Sequence, residues 1–419
     1  MASWKRGIKR ILRLMGRPAR TAQGRRGVVI EPYRGYGSRE EIFLIGRVFW
    51  QSPPDRAAQD DLVEDLRDIG RRMVRRAVRD ATVTACLYGT EERVQTDRDG
   101  YFRIHLRPDK RPPASRSWHQ VELRLDEPRR VRARGQVFIP PDDSRYVVIS
   151  DIDDTVMHTG VANKMKMLWR LFVEDADSRT AFPGVAALYR AFHRGRTGRE
   201  FNPMLYVSRA PWGIYAVLDE FFSMHRIPVG PILFLREWGL SWKRPLPRKA
   251  EDHKRDLIRH MLKLYADLPF VLIGDSGQHD PEVYRQIVDD HPGRVAAVYI
   301  RNVSRDRGRA LEIERLASVV SAAGSTLVLA ADSLAIAQHA VRIGLLPEEA
   351  IDDVQTERCA EMDEPAPEPE EVEAQTIDER HDVLAGARLQ HLLEEGNGNL
   401  PPNVVIEPNP GEPRRPDQT

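Results

Sequence analysis

The chain has 419 residues, 41% of them hydrophobic and 30% charged, enough length and apolar content for two or three domains with buried cores, which excludes a wholly disordered protein. The net charge of +1 conceals an asymmetry: residues 1–30 carry nine Lys and Arg with no acid, whereas 361–373 are mostly Glu, Asp and Pro. Cys86 and Cys359 supply no disulfide framework and fit a reducing cytoplasm, and no apolar run approaches the roughly 20 residues that span a bilayer.

Residues 1–27 read as a basic amphipathic arm. Trp4, Ile8, Ile11, Leu12 and Met15 recur at helical spacing with Lys and Arg opposite, which suits an anionic membrane surface. Arg13 interrupts the apolar run too early for a secretory signal. Nucleic-acid backbones attract the same charges, an organelle transit peptide has the same Arg-rich and acid-free character, and a disordered solubilising arm is the bland alternative. The aliphatic stripe adds burial that DNA does not require, so the expected location is cytoplasmic and peripheral to membranes, with no nucleic-acid partner.

Residues 28–139 read as a small antiparallel β-sandwich domain with one helix. Residues 42–50 form a buried-strand pattern, and Leu62, Leu66, Ile69, Met73 and Val74 mark an amphipathic helix. The period then falls to two, with Val83, Ala85 and Leu87, then Phe102, Ile104 and Leu106, then Val121, Leu123 and Leu125, and finally Val137 and Ile139. Thr96-Asp-Arg-Asp-Gly100 is a turn signal whose Asp pair need not imply calcium, and it looks like the turn of transthyretin-like sandwiches. No catalytic set is visible here; the domain orients its neighbour or recruits a protein partner.

Chemistry concentrates further along. Tyr146-Val-Val-Ile-Ser-Asp151-Ile-Asp153-Asp154-Thr155 is an apolar run that empties into three carboxylates, which stay ionised together only beside a metal or basic partners. Met204-Leu-Tyr-Val207 ends in Ser208-Arg209-Ala-Pro-Trp212. His253-Lys254 opens a helical pattern carrying Leu257, Ile258, Met261, Leu262 and Tyr265. Phe270-Val-Leu-Ile273 empties into Gly274-Asp275-Ser-Gly-Gln-His-Asp280-Pro-Glu282. Each set ends a strand or opens a helix, where open parallel sheets gather ligand groups, so the four can converge on one crevice. His158, His253 and His279 have no zinc-site spacing and read as polar neighbours, and Lys243 is a rival to Lys254.

This order resembles the haloacid dehalogenase superfamily of phosphotransferases. The wording of residues 149–156, 206–212, 228–233 and 273–282 is similar to the actin-patch phosphatidate phosphatase catalytic domain family, over about 146–301, with a departure at Arg209-Ala210. The resemblance implies Asp151 as nucleophile, Asp153 as general acid and base, and Lys254 as the cation that offsets charge in the transition state. It also implies Mg2+ on Asp151, Asp153 (through its backbone carbonyl), Asp275 and Asp280, and substrate binding by Ser208, Arg209 and Thr155. Arg301 is a weaker phosphate-contact candidate.

The expected catalytic domain, 140–346, is α/β: a haloacid-dehalogenase-like, doubly wound, mainly parallel sheet. Met165, Met167, Leu168, Leu171 and Phe172 lie in an insertion after Thr155 that could cap the site or pack on the sheet. Residues 347–419 are expected to be an acidic, Pro/Glu-rich disordered tail with a possible helix over 384–393. The resulting expectation is a magnesium-dependent phosphatase of lipid metabolism, converting phosphatidate to diacylglycerol through an aspartyl phosphate. The alternatives are a phosphatase of a soluble ester and an adaptor with a vestigial phosphatase fold.

Overall fold

Strict alternation in strands β7 (Tyr101–Leu106), β8 (Trp118–Leu125) and β9 (Val131–Phe138) puts Phe102, Ile104, Val121, Leu123 and Val137 inside and Arg103, Gln120, Glu122 and Arg134 outside. One-sided strands of this kind belong to a sheet with one dry face. The computed structural model describes residues 23–25, 27–50, 76–152, 183–208, 212, 215–234, 250–303 and 306–363. These three strands join β1 (Gln23–Arg25), β2 (Val28–Pro32), β3 (Gly35–Gly37), β4 (Ile42–Trp50), β5 (Thr82–Leu87) and β6 (Thr90–Gln95). The sheet runs β1-β2-β4-β3-β9-β8-β5-β6, with β7 on β4, and every pairing is antiparallel except β3 with β9. Its core includes Ile30, Leu44, Val48, Val83 and Phe102. The Asp97 loop is a turn: Asp97 Oδ1 accepts from Asp99 N and Tyr101 N at 3.0 and 2.9 Å, and Gly100 takes φ +81°.

The second sheet is wholly parallel. Its strands β10 (Val147–Asp151), β11 (Met204–Ser208), β12 (Ile232–Phe234), β13 (Phe270–Asp275), β14 (Val295–Arg301) and β15 (Leu327–Ala330) lie in the order β12-β11-β10-β13-β14-β15. β10, β11 and β13 are buried at every position, as strands covered on both faces must be. Val148 faces one core with helices α1 (Val185–Arg194) and α6 (Ser333–Arg342). Val147 and Ile149 face the other, with α3 (Ala250–Leu264), α4 (Asp280–Asp290) and α5 (Arg307–Ala322). The chain winds outward from β10 through β11 and α2 (Tyr215–Met224) to β12, then returns to β13 on the other side, so the order reverses between β10 and β13. That reversal opens a crevice at the carboxyl ends of the two strands.

Two boundaries move. Gln23–Arg25, assigned to the arm, pair as β1 with β2, so the arm ends earlier than residue 27. Residues 349–363, assigned to the tail, form helix α7 (Glu349–Asp363). Ala350 and Val354 sit one turn apart and are buried in the core shared with α1 and α6, while Glu357 pairs with Arg190 and accepts from Ala187 N at 2.7 Å. The acidic composition misled because a narrow apolar stripe is enough to dock a helix. The remainder of the arm, the helix expected over 62–74, the insertion at 155–182 and the helix expected over 384–393 lie outside the described residues. Among those described, no helix is long and apolar enough to cross a membrane.

Candidate active site

Asp151 and Asp275 end neighbouring strands at the crevice, 5% and 1% exposed. Lys254 reaches them because it lies three and four residues before Leu257 and Ile258, on the buried stripe of α3. Asp280 arrives by the same logic, leading the stripe Val283, Tyr284 and Ile287 on α4. Gly274 makes room for it: a Cβ there would stand 2.7 Å from the Asp280 Cβ.

The charges are closely interlocked. Lys254 Nζ lies 3.1 Å from Asp151 Oδ1 and also donates to Asp280 Oδ1. Asp280 Oδ2 accepts from Asp275 N at 3.2 Å. Asp275 Oδ1 accepts from Gly277 N and Gln278 N at 2.8 and 3.1 Å. Asp151 Oδ2, by contrast, is buried with no hydrogen-bond partner. Burial pushes the Asp151 carboxyl up, Lys254 opposes this, and Asp280 and Asp275 add to it. Burial pulls the Lys254 ammonium down, but Asp151 and Asp280 outweigh it and hold it above its ordinary value. We take the ammonium as charged, since two carboxylates touch it.

One oxygen from each of Asp151, Asp275 and Asp280 lies within 4.8 Å of the others. All three residues are buried, and three carboxylates against one lysine leave negative charge in excess. An all-oxygen set with an orphaned buried oxygen is what a hard divalent cation takes. Among the described residues no His or Cys joins such a group.

The structure thus brings together Asp151, Lys254, Asp275 and Asp280. Ser208 ends β11, two strands from Asp275 and beside Asp151, and is 2% exposed. Arg301 ends β14 beside Asp275, its carbonyl accepting from Ser276 N at 2.9 Å. His279 precedes α4 with its side chain 67% exposed, Nε2 3.6 Å from Glu251, as a polar neighbour. Asp153, Thr155, Arg209 and Lys243 lie outside the described residues. Two participants escape sequence inspection. Tyr284 places its ring 5.3 Å from Lys254 Nζ. Arg309, on α5, grips the loop between Asp275 and Asp280 from 33 residues beyond Ser276. The helical spacing of Asp280 and Tyr284 could have flagged the first; no short-range pattern marks the second.

A doubly wound sheet with a carboxylate and lysine cluster at its switch point defines an α/β protein whose candidate site lies at the carboxyl ends of its strands. Residues 146–302 match the family described as phosphatidate phosphatase APP1, catalytic domain. The chain is 29% identical over 225 residues to phosphatidate phosphatase APP1 of Saccharomyces cerevisiae, covering 52% of this chain and 35% of that protein. It is 26% identical over 165 residues to an uncharacterized protein of Schizosaccharomyces pombe, covering 39% of this chain and 26% of that one. The chain therefore spans about a third or less of those relatives' lengths. A solved carbohydrate acetylesterase from Xanthomonas citri aligns at 10% identity and TM-score 0.26, over 78% of this chain and 72% of that one, too weak a likeness to carry an argument.

Proposed function

We propose that the chain is a magnesium-dependent phosphatase of the haloacid-dehalogenase type that hydrolyses phosphatidate to diacylglycerol and phosphate. The observation that carries this reading is the state of Asp151: buried at a strand end, one oxygen held by Lys254 and the other without a partner. A carboxylate so placed suits a nucleophile, fixed by one oxygen and without a hydrogen bond on the second. The family of residues 146–302 supports the phosphate-ester class, and the yeast relative's name supports the lipid substrate.

In this mechanism Asp151 attacks phosphorus, and the bond from phosphorus to the alcohol oxygen breaks in line. Asp153 gives its proton to the departing alcohol, then takes one from the water that cleaves the aspartyl phosphate, releasing phosphate and restoring Asp151. Ser208 and Lys254 hold the phosphoryl oxygens, and Arg209 and Thr155 complete the substrate side. Asp151, Asp275 and the Asp153 carbonyl would hold Mg2+, with Asp280 as a further ligand or as the anchor of Lys254. The bound cation supplies charge neutralisation for the phosphoryl oxygens.

The test is phosphate release from phosphatidate vesicles and from a panel of soluble phosphate esters, with Mg2+ or with chelator. Mg2+-dependent release from phosphatidate is expected, with Asp151→Asn inactive and Asp153→Asn inactive but trapping phosphoenzyme. Release from soluble esters alone would replace the substrate, release from none would favour an adaptor, and substantial turnover by Asp151→Asn would remove the mechanism.

A further inference from the structure

Asp275 and Asp280 are separated by four residues, Ser276, Gly277, Gln278 and His279, whose backbone must hold two buried carboxylates a few ångströms apart. Within the loop, Asp275 Oδ1 accepts from Gly277 N and Gln278 N, Gln278 Nε2 lies 3.4 Å from Asp275 Oδ2, and Asp280 Oδ2 accepts from Asp275 N. Further restraint comes from a helix far along the chain. Arg309, in the first turn of α5 and 17% exposed, donates from Nε to the Ser276 carbonyl at 3.1 Å and from Nη2 to the Gln278 carbonyl at 2.8 Å. It also forks onto Glu282 on α4, Nη2 to Oε2 at 3.0 Å and Nη1 to Oε1, and reaches Glu312 Oε2 from Nη1 at 3.0 Å. These five contacts use all five N–H groups of the guanidinium.

The pattern fits a device more than a surface charge. Two contacts go to main-chain carbonyls inside the loop, and the others tie the same group to the helix that begins at Asp280. Lysine could not replace it, because an ammonium has three donors and no planar fork to span two carbonyls and a carboxylate at once. Serine 276 is fastened from the other side as well, its Oγ accepting from Val303 N at 3.0 Å. The loop is thus clamped between β14 and α5, with Arg309 as the clamp on the side of α5.

We infer that Arg309 is a positioning residue that sets the distance between the Asp275 and Asp280 carboxylates and thereby the cation affinity of the site. The inference rests on the metal reading above, but it concerns a residue that touches neither the substrate nor the cation. Partners that orient ligands from behind typically change metal affinity by roughly 10–100-fold when removed.

The experiment is isothermal titration of the whole protein, free of metal, with Mg2+ alone, alongside the melting temperature of each metal-free variant. Arg309→Met should raise the Mg2+ Kd by about tenfold or more. Arg309→Lys, which keeps the charge beside Glu282 but loses the fork, should also weaken binding, and it serves as the second variant should Arg309→Met fold poorly. A metal-free melt close to that of the unmutated protein, with weakened Mg2+ binding, separates positioning from a general loss of fold. A Mg2+ Kd within twofold of the unmutated protein in a folded variant would overturn the inference while leaving the metal reading standing. No Mg2+ binding by the unmutated protein would overturn both.

Discussion

Tyr33, just past the end of β2, stacks on Trp212, just past the end of β11, with ring centroids 4.2 Å apart and planes 23° from parallel. Arg34 follows, donating its backbone N–H to the Tyr215 hydroxyl at 3.0 Å and pairing with Asp219. A second contact joins Phe43 of β4 to His260 of α3, edge to face at 5.0 Å. The antiparallel sheet therefore leans on the segment that follows Ser208 and on the helix that carries Lys254.

Tyr33→Ala should accordingly destabilise the protein by about 3 kcal/mol, the order expected for a buried aromatic truncated to Ala. It should also raise KM for a phosphate ester more than it lowers kcat, while Tyr33→Phe, which keeps the stack, should be affected less than Tyr33→Ala on both counts. Denaturant melts and steady-state kinetics check both parts. An unaltered KM in folded Tyr33→Ala would show that the sheet only supports the fold.

Lys254→Met should cost about 3–5 kcal/mol in the metal-free protein, because it leaves Asp151 and Asp280 buried without their shared cation. Adding Asp280→Asn should recover part of that loss, since one of the two stranded charges is then gone. A double-mutant cycle by chemical denaturation measures the coupling; strict additivity would show that the three groups do not act as a unit.

Glu282 gives a pH signature for the Arg309 clamp. Burial pushes its carboxyl up, but hydrogen bonds and charge from Arg309 outweigh this and hold it below the usual range. A depressed folded value means the stabilisation is complete above the unfolded value of about 4.3 and is lost as pH falls through the folded one. The gap in Tm between the protein and Glu282→Gln should therefore be widest near neutrality and close on acidification below that value. A gap independent of pH would mean that ionisation of Glu282 contributes nothing.

Deleting residues 1–22 should reduce sedimentation with anionic liposomes and lower activity on vesicle-bound phosphatidate, with little change on a soluble ester. Trp4→Ala with Ile8→Ala should weaken liposome binding though every charge remains, since apolar burial contributes about 25 cal/mol per Å2. Unchanged binding after both changes, or DNA that displaces vesicles in a salt-sensitive way, would turn the arm into a tether for another partner.

The strands that carry the candidate site were legible because their residues are apolar on both faces, which only a covered parallel strand tolerates. The candidate site positions were legible because polar groups end those runs, as at Asp151, Ser208 and Asp275. Lys254 and Asp280 were visible as members of a motif, and their place on the buried stripe of a helix explains why they turn inward. Sequence periodicity alone determined this much, since it records which local face avoids water. It could not determine which distant groups meet. Arg309 reads as one more charge in an Arg-rich stretch, Tyr33 as an isolated aromatic, and residues 349–363 as acidic tail. Each acquired its role only in the packed chain, because the contacts that define them join residues separated by 33, 179 and 167 positions: Arg309 with Ser276, Tyr33 with Trp212, and Glu357 with Arg190. Pairings at that separation leave no local periodicity to read, because they are selected by the free energy of the whole packed chain and not by the preference of any one segment.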